Sequence, residues 1–343
     1  MKKRRSNKRS NRRILLLLVM TLFLMGLGAT STYAWFTANK TITVNPIQVN
    51  VETQGGIQIS VDARTWKSQI GPTDLNNAAA YYTDHTNQIP ATLEAVSSGL
   101  AVDTSGRLEM FYGVVDTTGT DHILTATRDI EVRGTTGRFV AFDVFIKADS
   151  TSQLYLTTNS GVSVPADQPN DTGIKNATRV AFVETGFSAN LGLAHTAYQA
   201  LNNGTGSTVY LWEPNYDVHT ATAIAHADSV YGLTIPATGG AVVPYSGVKA
   251  AILSTDNVNA AVLGTTTHAT AYPSFFNAIS PTYSTPLAFT GGSTPQQVFT
   301  VQEGVTKMRW YMWIEGQDVD CENSASGGYA VFNVQLTSEG PTP

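Results

Sequence analysis

The stretch WIEGQDVDCEN, residues 313–323, carries the densest set of chemically useful side chains in the sequence, and it follows a very apolar run. Glu315, Asp318 and Asp320 bring three carboxylates within six residues, and the chain's only cysteine, Cys321, comes next. Paired carboxylates hydrolyse glycosides, and clustered carboxylate oxygens bind Ca²⁺. Aspartates also accept hydrogen bonds from the amides of tight turns. The residue types therefore allow an active site, an ion site or a structural turn.

A structural turn is our preferred interpretation of these carboxylates. Gly316 ends the apolar run, and Ca²⁺ takes about six to eight oxygen ligands, more than Glu315, Asp318 and Asp320 supply. A calcium ion on these three side chains stays open as the alternative. Glycoside hydrolysis is not favoured, because nothing in the sequence indicates a sugar cleft or the carboxylate separation that the reaction needs.

Signature motifs of enzymes are absent from the sequence. It contains no G-x-S-x-G, no H-E-x-x-H, no phosphate-binding loop and no paired-cysteine metal spacing. A second acidic spot, WEPNYDVH, places Glu213, Asp217 and His219 close together, but its Pro-Asn dipeptide is a turn signal that favours a structural loop. We therefore predict that the protein is not an enzyme and needs no cofactor, with calcium as the one candidate ligand.

The single cysteine has two interpretations. Cys321 has no partner in its own chain for a disulfide. Unpaired cysteine is among the most buried residue types, which favours a buried, reduced thiol. A disulfide between two chains is the alternative for an exported protein.

The N-terminal residues have the pattern of an export signal. Eight Lys or Arg residues lie within residues 1–13, a mostly apolar run follows over residues 14–28, and the small residues of Thr32-Tyr33-Ala34 suit a signal peptidase. We predict a signal helix within residues 1–34 and cleavage between Ala34 and Trp35. An uncleaved membrane anchor is the alternative, because the apolar run extends to about the 20 residues that a membrane helix needs.

Removal of this segment leaves an acidic chain. All 26 Asp and Glu remain but only 13 of the 21 Lys and Arg, so the mature net charge is 13 − 26 = −13. Nucleic-acid binding depends on basic side chains at phosphates, and no basic cluster survives cleavage. We predict a secreted protein that binds no nucleic acid and meets the membrane only during export.

The mature composition, rich in Thr, Gly, Ser, Asn, Val and Ala, predicts an all-β fold. Alternating apolar residues predict a hairpin of residues 47–51 with 57–61, a central strand at 142–146 with a short partner at 154–156, and a strand at 308–314 paired with 330–336. The weak pattern of residues 160–296 predicts long connections between strands, with short helices near 194–201 and 248–262. We predict one domain over residues 47–343.

Asn45-Pro46 marks a change of phase between two alternating runs, and proline cannot donate to a strand ladder. A bulge or break is therefore expected there. It makes residues 35–46 a separable N-terminal segment.

Several stretches carry a resemblance to a known group: STYAWFTANKTITVN, GGIQISVDARTWK, FVAFDVFIKA, WEPNYDVH, PYSGVKA and KMRWYMWIEGQDVDCEN. Together they resemble exported surface proteins of Gram-positive bacteria whose signal peptide is processed by the SipW-type signal peptidase. The best-known relatives of that group are the TasA and camelysin biofilm-fibre proteins. The resemblance extends over about the whole chain, and WIEGQDVDCEN is its most specific element.

The resemblance implies a jelly-roll-like β-sandwich whose N-terminal segment completes a sheet of the neighbouring subunit. Trp35, Phe36, Ile42 and Val44 are the expected apolar anchors of that segment. The expected partners are other copies of the chain or related fibre subunits, and the signal peptidase during export. Two function classes stay open: a subunit of an extracellular fibre or biofilm matrix, and a monomeric cell-surface binding module for carbohydrate or calcium.

The first testable prediction concerns the mature N-terminus. Small residues precede the Ala34-Trp35 bond, so the exported protein is expected to begin at Trp35. N-terminal sequencing of the exported protein checks this, and a sequence beginning at Met1 supports the uncleaved anchor instead.

Overall fold

Strands are the main secondary structure in the computed structural model, which describes residues 41–52, 56–116, 122–168, 171–231, 234–237, 244–260, 267–284, 296–322 and 325–338. The fold is all-β, as the composition predicts. The strands are β1 Thr41–Glu52, β2 Gln58–Ser60, β3 Gln69–Ile70, β4 Thr92–Val96, β5 Met110–Asp116, β6 Ile123–Asp129, β7 Val140–Ala148, β8 Ser152–Leu156, β9 Gly161–Ser163, β10 Thr178–Ser188, β11 Thr208–Glu213, β12 Tyr245–Val248, β13 Phe276–Ile279, β14 Tyr283–Ser284, β15 Gln296–Val301, β16 Gly304–Glu315 and β17 Tyr329–Thr337.

The helices among the described residues are short. They are α1 Pro72–Asn77, α2 His195–Gln199, α3 Ala221–Tyr231 and α4 Thr267–Ala271. The helix predicted near residues 194–201 is confirmed by α2. The helix predicted over residues 248–262 is wrong, because this segment contains the end of β12 and a single 3₁₀ turn at Ser254–Asp256. The longest helix, α3, was not expected.

Strand β16 is the centre of the sheet, and it is buried on both faces as its apolar sequence predicts. It pairs antiparallel with β10 on one side and with β7 on the other. Trp310, Met312 and Ile314 share one core cluster with Phe332, Val334 and Cys321, which confirms the predicted core and the burial of the thiol. Tyr311 and Trp313 belong to a second cluster on the opposite face.

Strand β10 lies in the region that we expected to be a decorated connection. Val180 and Phe182 enter the first core cluster, whereas Ala181 and Val183 enter the second. A strand covered on both faces has no polar side to produce alternation. The 11-residue strand was therefore invisible to a search for a period of two.

The main sheet runs in the order β14-β11-β10-β16-β4-β1-β17-β8-β15. Its two ends fold back onto each other across the first core cluster. Phe182 of β10 packs against Phe299 of β15 with ring centroids 5.8 Å apart, and Tyr210 of β11 contacts the same ring at 5.7 Å. These aromatic contacts join the two halves of the sheet face to face.

Three predicted strand pairings are wrong. The strands at residues 47–51 and 57–61 do not form a hairpin, because β1 pairs with β17, β3 and β4, whereas β2 pairs with β7. Strand β8 pairs with β15 and β17 instead of β7. Strand β17 pairs with β1, β8 and β9 instead of β16. In each case a pairing between distant segments replaces the local one.

The outward face of β9, β17, β8 and β15 has an unusual composition. The side chains of these strands alternate, with Phe332, Val334 and Leu336 in the core and their neighbours outside. The outward residues are all uncharged and are partly or fully exposed, and we call them the uncharged face: Gln153, Tyr155, Ser163, Gln297, Thr300, Tyr329, Val331, Asn333, Gln335 and Thr337.

A core substitution tests the importance of the aromatic packing between β10 and β16. Trp310 is fully buried and meets the Phe182 ring edge-on at 4.8 Å. Trp310→Ala is expected to lower the free energy of unfolding by about 3 to 5 kcal/mol, because it leaves a large cavity. Urea denaturation measures this. The control is Ile130→Ala, at a side chain that is 68% exposed, and equal midpoints for the two variants would contradict the assignment.

Candidate functional site

The predicted assembly segment is only partly within the described residues. Ala34, Trp35 and Phe36, and with them the cleavage site, lie outside the described residues. Ile42 and Val44 lie in β1, which continues without a break through the boundary predicted at residue 46. The C-terminal part of the segment is therefore paired within its own chain in this structure.

Strand β1 fills a gap between strands that are distant in sequence. On one side it pairs in parallel with β17, from Thr43 opposite Tyr329 to Glu52 opposite Thr337. On the other side its first residues pair antiparallel with β4, and Val49 and Asn50 pair antiparallel with β3. Because its main chain is bonded along both edges, β1 is an inner strand of the sheet.

The phase change at Asn45-Pro46 appears in the structure as an irregularity in the β1–β17 ladder. The register shifts between Asn45 and Gln48. These two residues are three positions apart in β1, whereas their partners in β17, Val331 and Asn333, are two positions apart. Proline has no amide to donate, which accounts for the interruption at this point. The expected bulge is confirmed. The bulge divides the β1–β17 ladder into two parts that differ in register by one residue.

Strand β1 does not form a hairpin with the next described strand. Its successor in sequence, β2, pairs with β7 on a different part of the sheet. A strand held by a tight turn cannot move without its hairpin partner. Among the described strands, β1 makes its main ladders with β17 and β4, which are distant in sequence, and a two-residue ladder with β3.

The carboxylates of the opening stretch lie in a buried ionic cluster around Arg179 of β10. Its Nη2 atom contacts Asp318 Oδ2 at 2.6 Å and Glu213 Oε1 at 2.8 Å. All three side chains are at least 94% buried. The two acidic spots of the sequence thus converge, and the cation that joins them was not identified from the sequence.

Two histidines attach helix α3 and the residues before it to the same turn. His219 Nδ1 lies 2.7 Å from Asp320 Oδ2, and His226 Nδ1 lies 2.6 Å from Glu322 Oε1. The amide of Thr220 donates to the other oxygen of Asp320. His219 is therefore brought to the site as its spacing with Glu213 suggests, whereas His226 and Glu322 were missed.

The three candidate calcium ligands are occupied by donors from the protein. Glu315 accepts hydrogen bonds from Trp313 Nε1 and from the amide of Gln317. Asp318 accepts from Arg179 and from the amide of Asp320, whose own carboxylate is bonded to the His219 segment. Among the described residues, no group of three or more His, Cys, Asp or Glu side chains is placed to hold a metal ion. Hydrogen bonds of this kind are those expected of a structural turn.

Burial dominates the protonation of this cluster. The loss of water raises the pKa of Glu213 to about 8, since it outweighs the attraction of Arg179, and the negative charge of Asp318 adds to the rise. Two carboxylates share the Arg179 Nη2 atom, so its attraction lowers the pKa of Glu213 only in part. Burial also raises the pKa of Glu315 to about 7, against the hydrogen bonds that it accepts.

The His219–Asp320 pair retains a proton to higher pH than an isolated histidine does. Burial by itself lowers the pKa of His219, but the bond to Asp320 and the surrounding negative charge raise it overall. Burial raises the pKa of Asp320 as well. The folded cluster therefore binds more protons near neutral pH than the same groups in the unfolded chain.

A second buried ionic cluster lies farther along the same face of β10 and β16, and it was not expected. Arg309 of β16 makes a two-point contact with Glu131, at 3.2 and 2.6 Å, and a 2.7 Å contact with Asp143 of β7. The Tyr82 hydroxyl donates to Asp143, and Tyr311 donates to Glu131. Donors saturate both carboxylates, so the arrangement fastens the loop around Glu131 to the sheet.

Comparison with known proteins adds no relative. No protein-family model matches the chain, and neither a curated protein nor a solved structure matches it. None of the described helices is long and apolar enough to span a membrane.

The raised pKa values of the cluster predict a stability that falls with rising pH. Glu213, Glu315 and His219 have higher pKa values folded than unfolded, so folding takes up protons between those values. Their contribution is complete at low pH and disappears as pH rises through the folded values. The free energy of unfolding is expected to drop by a few kcal/mol, as an order of magnitude, between pH 6.5 and 8.5.

Denaturation at several pH values measures this slope, and Glu213→Gln is its test. The amide copies the protonated acid, so the variant should have a flatter slope. Asp84→Asn, at an exposed aspartate, is the matched control and should keep the parental slope. The histidines buried in neutral form, His85 and His268, act below pH 6.5 and so lie outside this window. Equal slopes for parent and Glu213→Gln would refute the assignment.

Proposed function

We propose that the protein is an exported structural subunit of an extracellular fibre or biofilm matrix, assembled by donation of strand β1 from one copy to the next. The observation that carries this proposal is the position of β1. It is the first of the described strands, it lies inside a sheet, and its longest ladder is with β17, the last of them. The jelly-roll-like β-sandwich, with its signal helix removed on export, is the fold that we propose for the subunit.

Exchange of β1 between copies costs little, because the donated strand makes the same contacts as the strand it replaces. Eight register pairs join β1 to β17, and short ladders join it to β4 and β3. Strand addition of this kind recovers the main-chain hydrogen bonds of the groove and places alternate side chains in pockets. The balance between the closed monomer and the polymer then depends on protein concentration.

The geometry of donation favours filaments over closed pairs. Each copy carries one donor strand and one groove, so contacts run head to tail. Contacts of this type give open fibres unless the rotation between copies closes a ring. In this role the chain is secreted, performs no catalysis, and has other copies or related subunits as its partners after the SipW-type signal peptidase has acted.

A peptide with the sequence of residues 35–52 is expected to stop the assembly of the mature protein. It contains β1 but no groove, so it occupies the growing end and adds no new acceptor. Light scattering and negative-stain microscopy follow the assembly. The matched control peptide carries Val49→Pro and Val51→Pro, which remove two ladder donors, and it should have no effect.

A truncated protein that begins after residue 52 lacks the whole of β1 and provides the complementary measurement. It is expected to remain monomeric and to gain thermal stability from the same peptide, since a ligand that binds only the folded state stabilises it. Assembly that proceeds equally well without residues 35–52, or an intact protein that stays monomeric at every concentration, would rule out strand donation.

A further inference from the structure

The uncharged face stands out against the charge of the whole molecule. The mature chain carries 26 acidic and 13 basic residues, yet the ten outward positions of this face include neither. Solvated sheet faces and edges ordinarily carry charged side chains, which keep sheets from associating. Hydroxyl, amide and phenol groups take their place here, which indicates a surface selected for contact with an uncharged partner.

Side-chain hydrogen bonds hold these groups in fixed orientations. Thr157 Oγ1 donates to Gln335 Oε1 at 3.3 Å, and Asn333 Nδ2 donates to the Asn159 carbonyl at 2.8 Å. The Tyr155 hydroxyl donates to the Gln153 side chain. Groups that are already oriented lose less freedom on binding than mobile side chains. The face is therefore prepared for directional hydrogen bonds.

A polar cavity of about 470 Å³ adjoins the face at Asn333. Hydroxyl and amide side chains make up half of its lining residues, and its two charged residues, Asp171 and Lys175, form an ion pair with each other. The Oδ1 atoms of Asn215 and Asn333 are buried and have no hydrogen-bond partner among the described residues. Buried acceptors of this kind are expected to find a donor.

We propose that the uncharged face and this cavity bind a neutral polysaccharide chain. Sugar hydroxyls both donate and accept hydrogen bonds, as the amides of Gln153, Asn333 and Gln335 do. The ring of Tyr155 lies among them and offers a flat surface for the C–H face of a sugar. A neutral hydroxyl-rich polymer satisfies these groups without bringing an unpaired charge against them.

Other partners fit the face less well. A charged polymer would lose water without meeting an opposite charge, and an apolar surface would bury the amides without hydrogen bonds. The polysaccharide is the partner whose chemistry matches what the face presents.

The test uses the mature full-length protein and titration calorimetry with cellohexaose, chitohexaose and dextran. At least one of these neutral glycans is expected to bind, with an affinity that does not change with salt. Tyr155→Ala is expected to weaken binding about tenfold, because the aromatic platform is lost. Tyr155→Phe keeps the ring and should retain binding, which separates the platform from the hydroxyl group.

The matched control is Tyr81→Ala, at a tyrosine that is 47% exposed and lies outside this face. It should bind glycan as the parent does, and melting curves verify that each variant is folded. The proposal is overturned if none of the three glycans binds, or if Tyr155→Ala and Tyr81→Ala behave alike. It is also overturned by preferential binding of an anionic polymer that disappears in salt, or by self-association through the face.

This inference is independent of strand donation. The face is formed by β9, β17, β8 and β15, and it is defined without the side chains of β1. Glycan binding by a protein that stays monomeric would support this inference and contradict the proposed assembly. Assembly of a protein that binds no glycan would support strand donation and contradict this inference.

Discussion

The main-chain hydrogen bonds of β1 hold the two halves of the sheet together. Among the described strands, β1 is the only one that links β4, which leads to the β16 half, with β17, which leads to β8 and β15. Without β1, the facing edges of β17 and β4 would leave main-chain donors and acceptors unpaired, at a high cost where they are shielded from water. The sheet therefore requires a strand at this position, but it does not require that the strand come from the same chain.

Packing on both sides of β1 fixes the positions of β4 and β17. Strand β16 is packed on both faces, and Phe182 and Tyr210 join the halves of the sheet across the core through Phe299. The turn after β16 carries the chain toward β17, and Arg179 holds it through Asp318. Removing one member of such a buried ionic cluster leaves a partner charge uncompensated. The turn is thereby fastened on the approach to the strand that receives β1.

Local pattern accounts for part of this architecture. The apolar sequence of β16, the bulge at Asn45-Pro46 and the burial of Cys321 follow from short stretches of sequence, and each is confirmed. Strand pairing is set by contacts between distant segments, which is why the glycine turn at residues 55–56 suggested a hairpin that does not form. Strand β10 escaped notice because burial on both faces removes alternation.

The same limit applies to the candidate site. The carboxylates of the 315–320 turn were apparent from the sequence, but their partners lie far away along the chain. Arg179 is 139 residues from Asp318, and His226 is 96 residues from Glu322. Without those donors, calcium binding stayed open as the alternative to the structural turn. The basic partners that hold them in a structural turn become visible only in the folded chain.

Cross-linking between two differently marked copies tests the central claim most directly. Asn50 and Gln335 are register partners in the parallel β1–β17 ladder, and neighbouring strands bring Cα atoms to a separation that suits a disulfide. One copy would carry Asn50→Cys and the other Gln335→Cys, and the two would be mixed, assembled and oxidised. Strand donation predicts a disulfide between the two copies in the fibres. Fibres without this link, together with efficient closure when both cysteines are in one chain, would show that β1 stays in its own subunit.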